Sequence, residues 1–396
     1  MKIAVARETR DGECRVAMVP ELVDKLTSLG WDVAVEAGAG RSALIDDEEY
    51  AEAGASVEED PFDGADLVVS VQPLPTETIR SLTQGTATLS FLPTRQEQDV
   101  VRDLRDCGIT SWAMELVPRI SRAQSMDALS SQALVAGYRS AIVAAGMLRR
   151  FFPQNMTAAG TVQPAKVVVL GAGVAGLQAI ATAKRLGAVV QAYDVRAAAA
   201  EEIASMGAKP IKLDLETLEG AGGYAREMTE ERAQRQRELL APYIAEADAL
   251  ITTAAVPGRM APLLVTREMV EQMGPGAVVV DLAAETGGNV SGSLPGEVVR
   301  IGHAQVWGGR NVPSQMPGPA SKLYAQNVFN LVELMTARAQ EGDDETAPRP
   351  AAFEPDFEDE IVTSACVTRD GRIEHGPTRE AIEGPDADGN EKGDNQ

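Results

Sequence analysis

Residues 167–186 constrain this chain more than any other stretch. Val167-Val168-Val169-Leu170 runs straight into Gly171-Ala172-Gly173-Val174-Ala175-Gly176, and a segment of helical period follows. A strand turning through three spaced glycines into a helix is a phosphate cradle. The first glycine permits the tight turn, the second lets the backbone approach a pyrophosphate, and the third lets helix and strand pack closely. The amides and positive end of the helix then face the phosphates. The next expected strand ends in Asp194, close to the ~20-residue offset of a ribose-binding acid. A carboxylate there accepts from a free 2′-hydroxyl and repels a 2′-phosphate, which favours NAD(H) over NADP(H), with Arg196 as a counter-signal. Gly38-Ala39-Gly40-Arg41-Ser42-Ala43 is a partial second match without the third glycine, followed by Asp46, Asp47, Glu48 and Glu49, and reads as a turn. The chain therefore offers one nucleotide site.

Around this motif, short apolar runs alternate with helix-period segments, the pattern of βα units on parallel sheets. Strands are expected at 3–5, 31–36, 67–71, 87–92 and 109–113, with helices at 20–29, 76–82 and 96–106. A long helix at 130–152 is ended by Pro153. A second series follows, with strands at 167–170, 189–194, 210–213, 249–253, 278–282 and 298–301, then a helix at 324–339 and a hairpin at 361–374 turning at Asp370-Gly371. The fold class is α/β, with two Rossmann-like, doubly wound parallel-sheet domains. The chain leaves the first domain (1–129 and 325–376) and returns to it around an inserted nucleotide domain (130–324), with a cleft expected between them. The stretch 377–396 reads as a disordered acidic tail.

Composition narrows the partners. A net charge of −23 over 396 residues repels phosphate backbones and anionic lipid, so nucleic-acid binding is not expected. Met1 to Val5 runs into Arg7, Glu8 and Arg10 instead of a signal-like apolar region, and the most apolar run is interrupted by glycines and Gln178. A soluble protein of a reducing cytosol, not inserted in the membrane, is expected. Cys14, Cys107 and Cys366 are too widely spaced for a disulfide framework or a zinc site, and no metal is expected.

A second dense cluster spans Glu115, Arg119, Arg122, Gln124, Asp127 and Ser130, between a strand end and the long helix. Either its side chains serve a reaction, or Asp127 or Ser130 caps the helix and the arginines are solvated. An amino-acid or hydroxy-acid dehydrogenase moves a proton with its hydride and presents a His or Lys to do so. Between Ala65 and Arg95 there is neither, and His303 and His375 lie in late segments that read as structural or exposed. Hydride transfer between two nicotinamides needs no proton in the chemical step. With one fingerprint here, the second nicotinamide would arrive on another protein. Gly220-Ala221-Gly222-Gly223-Tyr224 lies in a long connection and suits either a lid over nucleotide or an ordinary surface loop.

Together, these pieces resemble the soluble NAD(H)-binding component, domain I, of proton-translocating nicotinamide nucleotide transhydrogenase. The resemblance runs from Met1 to about His375. It is carried by Arg7-Glu8-Thr9, Arg15-Val16-Ala17 and Pro20, by Arg119 to Asp127, Thr157 to Thr161, Gly171 to Ala188, Asp194-Val195-Arg196, Ala221 to Met228, Asn311 to Ser314 and Cys366 to Gly371. Alanine dehydrogenase shares the fold and glycine motif, but its pyruvate-binding Lys and catalytic His have no counterparts at 70–73 and 89–93.

The resemblance implies that Arg119, Gln124, Ser125, Met126, Asp127 and Ser130 surround the nicotinamide, with Arg119, Gln124 and Asp127 at the reaction centre and Gln124 reaching toward the partner's nucleotide. Gly171, Gly173, Val174 and Gly176 form the glycine turn. Asp194, Val195 and Arg196 hold the adenosine ribose, Gly223, Gln236 and Ala255 line the rest, and Tyr224 sits on the closing loop. It further implies a homodimer on the cytoplasmic face of a membrane, beside an NADP(H)-binding domain and a membrane-spanning proton-channel subunit. A longer family chain would continue into membrane helices where this one stops, so the channel would be a separate subunit. The alternatives are a free-standing alanine-dehydrogenase-like enzyme and a non-catalytic NAD sensor, which would have no need of the 119–130 loop.

Overall fold

The computed structural model describes residues 1–215, 229–256, 258–339 and 350–384. The first unit opens with β1 (Lys2–Val5), α1 (Pro20–Ser28), β2 (Asp32–Glu36), α2 (Asp47–Glu52), β3 (Ser56–Glu58) and β4 (Leu67–Val69). It continues with α3 (Thr76–Ser81), β5 (Ala87–Ser90), α4 (Gln98–Asp106) and β6 (Thr110–Ala113). After a 3-10 turn at Ser121–Met126, the chain enters the long helix α5 (Ala128–Met147).

The second unit carries a small hairpin, β7 (Asn155–Thr157) and β8 (Gly160–Val162), then β9 (Lys166–Leu170), α6 (Val174–Arg185), β10 (Val189–Tyr193), α7 (Ala199–Ser205) and β11 (Lys209–Pro210). Helix α8 (Glu230–Ala245), β12 (Ala249–Thr252), α9 (Arg267–Glu271), β13 (Val278–Asp281), β14 (Val298–Ile301) and β15 (Ala304–Gly308) complete it. The chain then returns to the first unit through α10 (Pro317–Leu334), β16 (Thr336–Ala337), β17 (Ala352–Phe353), α11 (Glu360–Ala365), β18 (Cys366–Arg369), β19 (Arg372–Ile373) and α12 (Gly376–Glu383). By compactness the units are Met1–Gln132 with Pro317–Gln396, and Ala133–Met316.

Both large sheets are wound the same way. In the first the order is β3-β2-β1-β4-β5-β6, parallel throughout, extended by antiparallel β18 and β19. In the second it is β11-β10-β9-β12-β13-β15, again parallel, with antiparallel β14 at the edge. Each sheet is covered on both faces because its strands are apolar in both directions. Ile3 and Val5 of β1 pack with Leu22 and Val328, while Ala4 packs with Ile79 and Leu104. Val167 and Val169 of β9 pack with Ile180 of α6, while Val168 and Leu170 face Leu240 and Ile244 of α8. Near-continuous apolar runs of this kind are what a parallel sheet buried on both faces requires.

Several elements depart from the sequence reading. Helix α10 starts seven residues earlier than the expected 324, because Pro317 stands in its first turn, where no amide partner is needed. It also stops at Leu334, and Thr336 pairs with Phe353 where helix is expected to run to 339. The expected hairpin at 361–374 is a hairpin only from Cys366. The β-branched run Ile361-Val362-Thr363 is helical, started by Asp359, whose side chain accepts from the Ile361 amide. Residues 376–383 form α12 and not a disordered tail; 385–396 lie outside the described residues. The long helix begins at 128 and ends at 147, before Pro153 can act. Strands β3, β7, β8 and β15 have no counterpart in the sequence reading, being short, exposed in places or interrupted by Gly.

Candidate functional site

The glycine turn is built as its spacing requires. Gly171 lies at φ 97°, the left-handed region, and a Cβ on it would stand 2.6 Å from Thr253 Oγ1. A Cβ on Gly176 would lie 1.9 Å from the Gly171 carbonyl oxygen, so only glycine lets α6 close onto the turn. Gly173 differs. Its backbone is extended, at φ −72° and ψ −169°, and a Cβ there would meet nothing within 4 Å. The open volume beside Gly173 lies against the first turn of α6, whose N-cap supplies no side-chain hydrogen bond, leaving the helix amides available to an anion. Glycine at this position thus keeps space for a ligand, while its two neighbours serve the protein's own packing.

Asp194 follows β10 and braces the turn. Its Oδ2 accepts from the Ala172 amide at 2.7 Å, and its Oδ1 accepts from the Arg196 amide at 2.9 Å and from Arg196 Nε at 3.0 Å. Arg196 Nη2 also donates to the Ala172 carbonyl at 3.1 Å. The hydrogen bond to Asp194 raises the already high pKa of this guanidinium, so the pair stays charged. Gln236, buried on α8, accepts from the Tyr193 hydroxyl at 3.1 Å. Burial pushes that phenol up to about 12, so it remains a donor. Val174 is exposed at the start of α6, Val195 is half-buried, and Ala255 is exposed after β12. Gly223 and Tyr224, and with them the expected lid, lie outside the described residues.

In the first unit, the 119–130 loop is held from several sides. Asp127 caps α5, accepting from the Ser130 amide at 2.9 Å and from the Ser130 hydroxyl at 2.6 Å. Arg122 is not merely solvated, since its guanidinium forks onto both carboxylate oxygens of Asp359, at 2.5 and 3.0 Å. Met126 is buried, and Asn327 and Asn330 of α10 each donate to the Ser125 carbonyl at 2.8 Å. Arg119, Gln124 and Ser125 are exposed. The Gln124 side chain makes no hydrogen bond to any described residue. The capping reading and the functional one are therefore compatible: the cap and anchors fix a loop whose middle residue is left outward.

The strand ends of the first sheet carry carboxylates where an acid–base lysine or histidine is sought. Glu8, after β1, accepts from the Val71 amide at 2.5 Å and the Gln72 amide at 3.2 Å, both following β4. Burial of its carboxyl group, only partly offset by these amides, raises its pKa to about 8. Glu115 accepts from the Leu92 amide with both oxygens at 3.0 Å, and burial raises it to about 7. Glu13 is buried too. Burial alone would raise it, but the Arg15 fork, at 2.8 and 2.7 Å, and Gln72 hold it at about 2. The second Arg15 arm donates to Gln132 at 2.9 Å. A polar cavity of about 430 Å³, lined among others by Arg7, Glu8, Arg15 and Arg41, adjoins this network. The sequence reading misses Glu8, Asn327 and Asn330, and it groups Glu115 with the loop without its Leu92 partner. Nothing local marks a carboxylate or amide whose partners are far along the chain.

With this geometry in view, the comparisons with known proteins decide the family. The alanine dehydrogenase/PNT N-terminal domain matches residues 4–136, and the corresponding C-terminal domain matches 140–376. The chain belongs to the alanine dehydrogenase/PNT family. Within it, the chain is 47% identical to the first of the separate alpha-subunit chains of the NAD(P) transhydrogenase of Rhodospirillum rubrum, over 95% of this chain and 98% of that protein. It is 42% identical to NAD(P) transhydrogenase subunit alpha of Haemophilus influenzae, over 94% and 71%. Alanine dehydrogenase of Bacillus subtilis is further off, at 33% over 73% of this chain and 72% of that protein. The crystal structure of transhydrogenase from Sinorhizobium meliloti superposes with a TM-score of 0.81 at 41% identity, covering 95% of this chain and all of that one. The PNT side of the family is thus the nearer one for this chain, as the motif resemblance implies.

Proposed function

We propose that this chain is the NAD(H)-binding component of a proton-translocating NAD(P) transhydrogenase. It holds NADH and presents it to NADP⁺ carried by a partner domain, while a separate membrane-spanning subunit conducts protons. The observation that carries this reading is one open glycine cradle in a chain whose first-sheet strand ends offer no proton-shuttling base. The near-neutral carboxylates found there, Glu8 and Glu115, are turned into main-chain amides and hold loops together. A dehydrogenase acting on an amino acid needs a group free to exchange a proton with substrate, and direct transfer between nicotinamides does not.

In this reading the α6 amides and the space beside Gly173 receive the pyrophosphate, and Asp194 receives the adenosine ribose. Arg196 is committed to Asp194 and to the Ala172 carbonyl, which turns its fork away from a 2′-phosphate and supports NAD(H) over NADP(H). Arg119, Gln124, Asp127 and Ser130 act at the nicotinamide end, with Gln124 extending toward the second nucleotide. The chain works as a homodimer attached to the cytoplasmic face of the membrane through its partner subunits. Among the described residues no helix is long and apolar enough to cross a membrane.

The test uses the purified chain with NADH. It should reduce an NADP⁺ analogue once a complementary NADP-binding domain is added, and should sediment as a dimer. Turnover of pyruvate with ammonia by the chain alone would replace this reading with the dehydrogenase one.

A further inference from the structure

We infer that Asn327 and Asn330 of α10 are positioning residues that set the reaction loop by gripping a single peptide group. The inference rests on the proposed role of the 119–130 loop. Asparagine is a weak helix former, and two of them, three residues apart, stand on one face of α10. Both carboxamides converge on the same acceptor. Asn327 Nδ2 and Asn330 Nδ2 each donate to the Ser125 carbonyl oxygen at 2.8 Å, using both of its lone pairs.

Neither amide is left free to turn. The Oδ1 of Asn327 accepts from the Ser131 hydroxyl at 2.7 Å, and the Oδ1 of Asn330 accepts from Gln326 Nε2 at 2.9 Å. The result is a continuous chain of hydrogen bonds from Gln326 through Asn330, the Ser125 carbonyl and Asn327 to Ser131, on the first turn of α5. An exposed loop carbonyl needs only water to satisfy it. Two donors at a fixed angle do more, because they set both the position and the rotation of the Ser125–Met126 peptide. Gln124 lies one residue before that peptide and Asp127 one residue after it, and hydride transfer is sensitive to misplacements of ~1 Å, which cost about 100-fold in rate.

Asn330→Asp keeps size and shape but turns the donor into a charged acceptor facing the carbonyl, and Asn330→Ala simply removes it. In the full chain with its NADP-binding partner, we expect either change to lower the transfer rate at saturating NADH by about 10- to 100-fold, with NADH affinity within about threefold and an unchanged melting midpoint. A signature specific to positioning is recovery with pH. As pH falls toward 5, the Asp carboxyl regains a proton to donate, so the Asn330→Asp rate should approach that of wild type, while the Asn330→Ala rate should not. Gln124→Asn is measured alongside. If Gln124→Asn is slow while both Asn330 variants transfer at the wild-type rate, the clamp is only structural and this inference fails alone. A wild-type rate in Gln124→Asn overturns the underlying assignment of the loop as well. A rate loss that merely tracks lost affinity or lost folded protein also defeats the clamp.

Discussion

The two large sheets share one winding order and use its reversal point in opposite ways. In open α/β sheets, ligands sit beyond the carboxyl ends of the strands where the order reverses. In the second sheet that point lies between β9 and β12, and glycine keeps it open beside Gly173. In the first it lies between β1 and β4, and the carboxylate of Glu8 spans it to Val71 and Gln72. The same backbone topology thus makes a cradle in one unit and a closed polar junction in the other. Topology offers the site, and the side chains following the first strand decide whether it is used. The first unit contributes instead through a loop at the far end of β6, made rigid by an N-cap, an Arg122–Asp359 fork and two amides of α10.

If this division is right, substitutions in the first unit's loop alter transfer, and substitutions at the second unit's turn alter binding. The largest effect is expected for Asp127→Asn. Asparagine caps a helix as well as aspartate does, so α5 should survive while the charge is lost, and stopped-flow transfer should slow by about 100-fold with little change in NADH affinity. Equal losses in rate and affinity would erase the contrast. Next, Asp194→Ala leaves the Ala172 amide and the Arg196 fork unpartnered and should weaken NADH binding by roughly 1–3 kcal/mol, read by fluorescence titration, with transfer at saturation nearly intact.

Gly173→Ala should then sharpen the picture. The extended backbone accepts Ala and nothing crowds its Cβ, so the melting midpoint should hold, yet NADH should bind about tenfold more weakly if phosphates occupy that space. A midpoint drop without loss of binding would mean that the space belongs to the protein's own packing.

The smallest effect tests the closed junction. Glu8 titrates at about 8 in the folded chain against an ordinary value of 4.5. The folded state therefore keeps a proton that the unfolded state releases. The stability from this proton is complete below pH 4.5 and is lost as pH rises through 8. Glu8→Gln keeps an acceptor for Val71 and Gln72 and removes the titration, so near pH 8 it should melt roughly 2–4 °C above wild type and near pH 5 at the same temperature. Parallel melting curves across that range would show that the carboxyl carries no such proton. Glu13, held at about 2 by Arg15, acts with the opposite sign, and its stabilisation is lost only as pH falls toward 2.

Much of this is legible in the residue order. Val167 to Gly176 announces a strand, a turn and a helix because glycine sterics and apolar period are local properties, and Asp194 follows at the expected distance. The reaction loop is legible as a dense polar cluster, although capping and function separate only in the fold, where Asp127 caps α5 while Gln124 stays outward. Element ends are less legible. Pro317 reads as a breaker in the sequence and is a first-turn residue in the helix, and Ile361 to Thr363 read as strand because β-branched residues favour both buried helix and sheet when packed.

The sequence by itself determined the α/β class, the glycine cradle and its acidic partner, since each depends on residues within reach of one turn or one strand. Only the tertiary structure decided that Glu8 closes the first reversal point, that Arg122 answers Asp359, and that Asn327 and Asn330 converge on one carbonyl. Those contacts join residues tens to hundreds of positions apart. A side chain's charge and hydrogen bonds are fixed by the groups folding brings to it, which its neighbours in the chain do not specify.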